Sequence, residues 1–184
     1  MRRRWFAAAA AAGAAIVAVG AAAAGVHTTA DVPPCAGAAL SGTFTAVRGS
    51  AGAGQISYNL RLRNRSGRTC FVSGLPGVRL VGRSGRLLPS RVSPAHPGQP
   101  TAVRVVLKPG SYAAATARFS PDVPGVGEPV SGRLCEPTAY RARVHVPPAD
   151  GVIVTPVVPP TPVCEHGSMV FSVLVAGKNG PATG

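Results

Sequence analysis

Turn-forming residues interrupt this chain about every ten residues from Asp31 onward, and this limits most strongly the folds open to it. The stretches between glycine, proline, asparagine and serine are short, and none repeats its apolar residues with helical spacing over a useful length. Evenly spaced short strands are typical of all-β sandwiches and barrels. We predict a β-sandwich of about seven to nine strands, because disulfides and proline-rich edges suit an open sheet whose edges need protection.

The clearest strand is "QISYNLRLRN", residues 55–64, in which apolar and polar residues alternate strictly. This period of two predicts a half-buried strand. Its inward side chains are Ile56, Tyr58, Leu60 and Leu62, and its outward ones are Ser57, Asn59, Arg61 and Arg63. By contrast, "PVVPPTP" at 156–162 is too rich in proline for a central strand, so we predict an extended edge segment there.

The first thirty residues have the layout of a secretory signal peptide. Arg2, Arg3 and Arg4 precede an alanine-rich apolar stretch at 5–25, and small residues around 22–24 or near Ala30 suit a signal peptidase. An uncleaved membrane anchor is the alternative, since the stretch is just long enough to span a bilayer. We therefore predict a helical signal or anchor segment at 1–30, a β-domain at 31–176, a flexible tail at 177–184, and a secreted or cell-envelope location.

Four cysteines lie beyond this leader: Cys35, Cys70, Cys135 and Cys164. An even number in an exported chain predicts disulfides, for which three pairings are possible. We expect the sequential pairing, Cys35 with Cys70 and Cys135 with Cys164, in which each bridge stabilises the fold by about 3 to 4 kcal/mol. A four-thiolate metal site is disfavoured because the chain has no C-x-x-C pair.

The stretch "TCFVSGLPGVRLVG" at 69–82 reads as a structural corner rather than a reactive site. Cys70 begins a strand with Phe71 packed inward, and Gly74 to Gly77 form a turn that leads into the next strand.

The longer segment "GSAGAGQISYNLRLRNRSGRTCFVSGLPGVRL" resembles the hallmark region of the domain of unknown function 4232 family, which comprises exported actinobacterial proteins and lipoproteins. The matching features are Cys35, the glycine-alanine loop at 49–54, Asn64, Cys70 and the motif at 74–78, where Leu75 replaces the usual aromatic residue. The resemblance covers roughly residues 35–176. It implies an exported, immunoglobulin-like sandwich with no established activity, and it supplies no catalytic residues.

Catalytic patterns are missing from the sequence. The histidines beyond the leader are His96, His145 and His166, and no G-x-S-x-G motif is present. Glu165 and His166 are adjacent, but two ligands do not make a metal site and the sequence names no partner for them. We predict no catalytic residues, no metal and no cofactor. A small secreted hydrolase is the alternative, and a pocket where histidine and carboxylate groups converge would favour it.

Positive charge is the one feature that exceeds background. The chain carries +13, and without the three leader arginines it still has 16 basic against 6 acidic residues. Alternation places Arg61, Arg63, Arg141 and Arg143 outward on two strands. They form either a solvated face or a surface for anionic cell-envelope polymers, lipid headgroups or an acidic protein. Nucleic acid is not expected, because aromatic residues do not alternate with the arginines. We predict an exported, non-catalytic binding or structural module.

Overall fold

The computed structural model describes residues 31–130 and 134–183. The predicted signal or anchor segment at 1–30 lies outside the described residues. Among those that are described, no helix is long and apolar enough to cross a membrane. The elements are a 3₁₀ turn (Gly37–Ala39), β1 (Leu40–Ala46), β2 (Ile56–Asn64), β3 (Cys70–Ser73), β4 (Gly77–Val81), β5 (Arg91–Pro94), β6 (Arg104–Leu107), β7 (Tyr112–Phe119), β8 (Ala139–His145), β9 (Ile153–Thr161), a single turn α1 (Cys164–Gly167), β10 (Ser168–Phe171) and β11 (Val175–Ala176).

Most strands form one sheet in the order β4-β8-β9-β1-β2-β7-β10-β5, with β11 beside β7, while β3 and β6 form a separate antiparallel pair. The two end strands of the large sheet are linked near Leu80. Its N–H donates to Ser90 Oγ at 2.8 Å, and its carbonyl accepts from the N–H of Leu88 at 2.9 Å. The all-β prediction is confirmed, but the sheet is nearly closed and barrel-like where the sequence favoured an open sandwich.

The alternation predicted for β2 is confirmed. Tyr58, Leu60 and Leu62 are fully buried while Arg63 is exposed. On β8, Ala142 and Val144 are buried and the residues between them face solvent. A β-bulge between Ala139 and Arg141 shifts the register on β9, and it turns Tyr140 outward from the core.

The proline-rich segment at 156–162 is not at an edge, contrary to the sequence prediction. It belongs to β9, which lies between β8 and β1. The pairing with β1 involves only Val157 and Val158, whereas β8 pairs mainly with residues 153–156. Most positions of β9 therefore need a hydrogen-bonded neighbour on one side only, and this leaves room for prolines that lack an N–H.

The core is built around four aromatic rings. Phe44 and Tyr58 have centroids 5.1 Å apart, Tyr58 and Phe119 are 5.2 Å apart, and Phe171 stacks on Phe44 at 6.1 Å. The Tyr58 hydroxyl donates to the Pro159 carbonyl at 2.8 Å, so this buried polar group is satisfied. Burial raises the pKa of Tyr58, and a hydrogen bond with Thr161 partly opposes that shift.

Both disulfides of the predicted sequential pairing are present, Cys35–Cys70 and Cys135–Cys164. The corner at 69–82 is also structural: Gly74 adopts φ = 83°, which glycine reaches without strain. One detail of the prediction is wrong. Because Cys70 and Val72 occupy the inward positions of β3, Phe71 faces outward, where the Arg104 guanidinium lies 4.0 Å from its ring centroid.

The segment at 177–183 lies along the outer face of β2 and β7. Asn59 and Arg61 both donate to the Lys178 carbonyl at 2.8 Å, and the Gly180 N–H donates to Asn59 Oδ1 at 3.0 Å. A Cβ at Gly180 would lie 2.4 Å from backbone atoms of Ala115 and Thr116. The sequence predicts a flexible tail over 177–184, and in the structure glycine at 180 allows the segment to approach β7 closely.

Candidate functional site

A group of exposed basic side chains lies on the outward face of β4 and β8. Arg79 of β4 is directly opposite Arg143 of β8, and Arg141 and His145 project from the same side of β8. All four side chains are exposed. We call Arg79, Arg141, Arg143 and His145 the basic face. It arises because alternation buries Val78, Leu80, Ala142 and Val144 on the opposite side.

No carboxylate in the described part of the chain forms an ion pair with the basic face. Residues directly opposite each other on antiparallel strands have Cβ atoms about 4.5 to 5.5 Å apart, and like charges at that spacing destabilise the pair. The Arg79 and Arg143 pair has this arrangement. Among the described residues, ion pairs involve Arg104 with Asp31 and His166 with two glutamates, and none involves the basic face. Its charge is therefore available to an anion from solution.

Apolar side chains border these arginines. A groove of about 430 Å³ is lined by Arg79, Arg143 and His145 together with Leu87, Val92 and Val152. Val154 of β9, the cross-strand neighbour of Arg143, is 60% exposed. The surface thus offers both cationic and apolar contacts, which a ligand needs when it carries anionic groups on an apolar body.

The structure divides the predicted set of four arginines into two groups. Arg61 and Arg63 lie on β2, separated from β8 by β9 and β1. Three strand spacings amount to about 14 Å along the sheet, which exceeds the screening length of about 10 Å at 0.1 M salt. Salt therefore weakens the interaction between the two groups, and the structure does not bring them together on adjacent strands.

Arg61 and Arg63 belong to a second basic cluster that also contains Lys178. The Arg63 guanidinium carbon lies 5.8 Å from the ring centroid of Tyr112, and Lys178 Nζ lies 5.3 Å from it. Arg61 donates to the Lys178 carbonyl. These contacts hold the cationic side chains against the protein, so this cluster is less free to reorganise around a ligand than the basic face.

Arg79 was not among the binding residues predicted from the sequence, although the pattern around it indicates an outward side chain. The run "VRLVG" alternates in the same way as β2, so Arg79 could have been placed outward. Its position beside Arg143 could not be predicted in this way, because the pairing of β4 with β8 joins segments that are far apart in the chain.

Glu128, Glu136 and His166 form a second constellation, the carboxylate–imidazole cluster. The Glu128 carboxylate is buried and accepts the backbone N–H groups of Gly125 at 2.6 Å, Glu165 at 2.9 Å and His166. Glu165 and His166 both have φ = 56°, and this left-handed backbone directs their two N–H groups to the Glu128 carboxylate. The Cys135–Cys164 bridge brings Glu136 next to His166, since each residue closely follows a bridged cysteine.

The two carboxyl groups of this cluster have opposite pKa shifts. Burial raises the pKa of Glu128, but the three backbone hydrogen bonds outweigh burial and hold that pKa below its ordinary value. Burial also raises the pKa of Glu136, and the neighbouring Glu128 carboxylate raises it further while His166 opposes the shift. Ionised Glu128 is thus favoured by the fold, whereas ionised Glu136 is disfavoured.

These pKa shifts predict that glutamine at Glu128 and glutamine at Glu136 change the stability of the fold in opposite directions at pH 7. The comparison is made in the presence of a chelator, so that no metal ion contributes. Because the pKa of Glu128 is lower in the folded state, its carboxylate stabilises the fold at any pH above its unfolded-state pKa. This stabilisation is lost as the pH falls through the folded-state pKa. A raised pKa makes Glu136 a cost once pH rises above its folded-state pKa. Glu128→Gln should therefore lower the urea midpoint and Glu136→Gln should raise it. Midpoints measured from pH 3 to pH 8 check this, and shifts of the same sign for both variants would contradict it.

The family comparison gives one match. The family model for the domain of unknown function (DUF4232) matches residues 35–170, a span that includes all four cysteines, the basic face and the carboxylate–imidazole cluster. No curated protein and no solved structure matches the chain. Because the matched span covers well over half of the sequence, the chain belongs to the DUF4232 family.

Proposed function

We propose that this protein is an exported or cell-envelope-associated, non-catalytic module that binds an anionic envelope component through its basic face. One observation carries the proposal: Arg79 and Arg143 stand opposite each other on neighbouring strands, exposed and without a carboxylate partner among the described residues. Such a pair is unfavourable in the free protein, and an anion placed between the two guanidinium groups converts the repulsion into two charge-assisted contacts.

The distribution of acidic residues supports this proposal. The domain has only six of them, and three are engaged elsewhere: Asp31 with Arg104, and Glu128 and Glu136 with His166. Basic residues therefore outnumber acidic ones by ten beyond the leader (16 against 6), and a positive surplus of this kind attracts polyanions.

Two disulfides support the proposed location. Disulfides persist in oxidising compartments outside the cytoplasm, and this chain has two: one ties the N-terminal segment to β3, and the other ties the segment before β8 to the turn α1. The arginine-led apolar leader provides a matching export signal in the sequence.

We further propose that the nearly closed sheet is a variant of the immunoglobulin-like sandwich implied by the family resemblance. Strand β9 pairs with β8 through its first half and with β1 through Val157 and Val158. A strand that changes partners in this way joins two layers, with β4 and β8 in one and β1, β2 and β7 in the other. An experimental structure that shows one continuous barrel wall at β9 would contradict this assignment.

The binding proposal is tested by removing three charges from the basic face. We expect the Arg79→Gln/Arg141→Gln/Arg143→Gln variant to lose about a hundredfold in binding constant for anionic phospholipid vesicles, since each basic residue near an anionic surface contributes about 1 kcal/mol. Co-sedimentation across a salt series measures the loss. The wild-type protein should sediment with anionic vesicles at low salt and be released as the salt concentration rises. It should not sediment with neutral vesicles.

A matched control removes the same charge elsewhere. Arg48, Arg65 and Arg68 are exposed arginines in loops, so their triple glutamine variant has the same net charge as the basic-face variant. We expect it to bind nearly as well as wild type. Equal losses in both triple variants, or retention indifferent to salt, would refute the proposal. The Arg61→Gln/Arg63→Gln variant tests the second basic cluster separately.

A small secreted hydrolase is the second candidate, and one observation favours it. Glu136 lines a depression of about 800 Å³ together with Arg83 and Tyr140, and His166 lies 3.8 Å from Glu136. His166 Nε2, however, is paired with the Val126 carbonyl, and no described hydroxyl is hydrogen-bonded to the imidazole. The arrangement therefore lacks the activated nucleophile of a serine hydrolase. Ester or amide turnover that Glu136→Gln abolishes would favour this candidate.

A further inference from the structure

We propose that Glu128, Glu136 and His166 bind a divalent transition metal ion of the zinc class. This site is separate from the basic face and does not depend on the proposed function. The sequence predicted no metal, because Glu165 and His166 had no identifiable partners. The fold supplies two partners for His166, and it leaves the Glu165 side chain exposed outside the group.

The ligand atoms converge at distances that suit a shared ion. Nδ1 of His166 lies 3.6 Å from Oε1 of Glu128 and 3.8 Å from Oε1 of Glu136, and all three atoms lie within 4.8 Å of one another. These separations are too long for hydrogen bonds. Around a tetrahedral zinc ion with bonds of about 2.0 to 2.2 Å, neighbouring ligand atoms lie about 3.4 Å apart. Small side-chain movements therefore suffice to close the site.

The Glu128 carboxylate is held in place with one acceptor position left. An ionised carboxylate has about four lone-pair sites, and three of them accept backbone N–H groups. Of the three backbone donors, Gly125 and Glu165 donate to Oε2, whereas His166 donates to Oε1. The remaining lone pair is on Oε1, the same atom that faces the imidazole. Backbone donors thus fix the position of this ligand before any ion arrives.

A carbonyl outside the cluster orients the imidazole. His166 Nε2 lies 3.0 Å from the Val126 carbonyl oxygen, which can only accept, so Nε2 carries the proton. In the neutral ring, Nδ1 then presents its lone pair toward the two carboxylates. Metal-binding histidines commonly donate their other ring N–H to a backbone carbonyl in this way. Both distances from Nδ1 to the carboxylates are longer than the about 2.9 Å of a charge-assisted hydrogen bond, which leaves room for an ion between them.

The ligand types select the class of ion. One imidazole and two carboxylates suit zinc and its neighbours in the first transition row, whereas calcium and magnesium prefer all-oxygen sites. Three protein ligands leave a fourth position for water, and the His166 side chain is 51% exposed, which gives solvent access to it. The Glu128 side chain is 2% exposed and the Glu136 side chain 13%, so a buried and a half-buried carboxylate gain a compensating charge when the ion binds.

The test uses the purified full chain after chelator treatment. Titration calorimetry with Zn²⁺ should show one site, and Co²⁺ should give visible d–d absorption that Zn²⁺ displaces. Glu136→Gln and His166→Asn should each weaken Zn²⁺ binding about tenfold or more. Asparagine is chosen because it tolerates the left-handed backbone of His166. Glu165→Gln is the matched control, and it should bind Zn²⁺ like wild type.

Three outcomes would overturn the assignment: no Zn²⁺ binding by the wild type, undiminished binding by both cluster variants, or an equal loss in Glu165→Gln. Binding of Ca²⁺ as tight as that of Zn²⁺ would refute the proposed ion class. Thermal unfolding of every variant in chelator separates ligand loss from misfolding: His166→Asn and Glu165→Gln should melt near the wild-type temperature, and Glu136→Gln at or above it.

Discussion

Replacing Cys35 and Cys70 together by alanine is expected to lower the free energy of unfolding by about 4 kcal/mol. The bridge closes a loop with a sequence separation of 35, and its removal releases that constraint on the unfolded chain. The effect is large for a domain whose total stability is about 5 to 15 kcal/mol. Urea unfolding of the wild type and the double variant, followed by tyrosine fluorescence, measures the change.

The same bridge also holds a small sheet to the rest of the molecule. Cys35 N–H donates to the Phe71 carbonyl and Phe71 N–H donates to the Pro33 carbonyl, both at 2.9 Å, so the N-terminal segment lies beside β3. Strand β3 pairs with β6 and not with the large sheet. Alanine at Cys135 and Cys164 is the control, since that loop has a separation of 29 and a similar predicted cost. A loss below about 1 kcal/mol for the Cys35–Cys70 variant would contradict the prediction.

Local features of this fold could be predicted from the sequence because they depend on near neighbours. Alternation in β2 placed Leu60 and Leu62 inward and Arg63 outward, and the structure agrees. Phe71 was expected to pack inward, but alternation along β3 itself places Cys70 and Val72 inward and Phe71 outward. Proline content predicted an edge position for β9, yet prolines are tolerated between β8 and β1 because the strand changes partners along its length.

Features that depend on which strands meet could not be predicted. The separation of Arg61 from Arg141 follows from β9 and β1 lying between their strands, and no local pattern encodes that order. The carboxylate–imidazole cluster is an intermediate case. Once Cys135 and Cys164 are paired, Glu136 and His166 must be near each other, so two of the three residues of the cluster could be placed together from the predicted bridge. Glu128 is held beside them because its carboxylate accepts the N–H groups of Glu165 and His166, which lie in a left-handed turn. No sequence pattern predicts this turn.

Asn64 is the asparagine at the end of the hallmark strand, and its substitution by alanine is expected to cost about 3 kcal/mol. The side chain is fully buried and makes four hydrogen bonds. Its Nδ2 donates to the carbonyls of Arg68 at 2.7 Å and Leu107 at 3.0 Å, while Oδ1 accepts from the N–H and the hydroxyl of Ser66 at 2.9 and 2.7 Å. It thus fastens the turn after β2 to the end of β6.

Alanine at this position leaves a buried carbonyl and its neighbours without partners, and each such group costs about 1 to 3 kcal/mol. Asn64→Asp discriminates further, because it keeps the acceptor toward Ser66 but sets a carboxylate against two carbonyl oxygens, so it should be at least as harmful. Asn59→Ala is the matched control on the same strand. Asn59 makes two hydrogen bonds near the surface, where water replaces them, so its loss should cost about 1 kcal/mol. Equal urea midpoints for Asn64→Ala and Asn59→Ala would show that the hallmark asparagine is not a structural anchor, and its place in the motif would then need a functional reason.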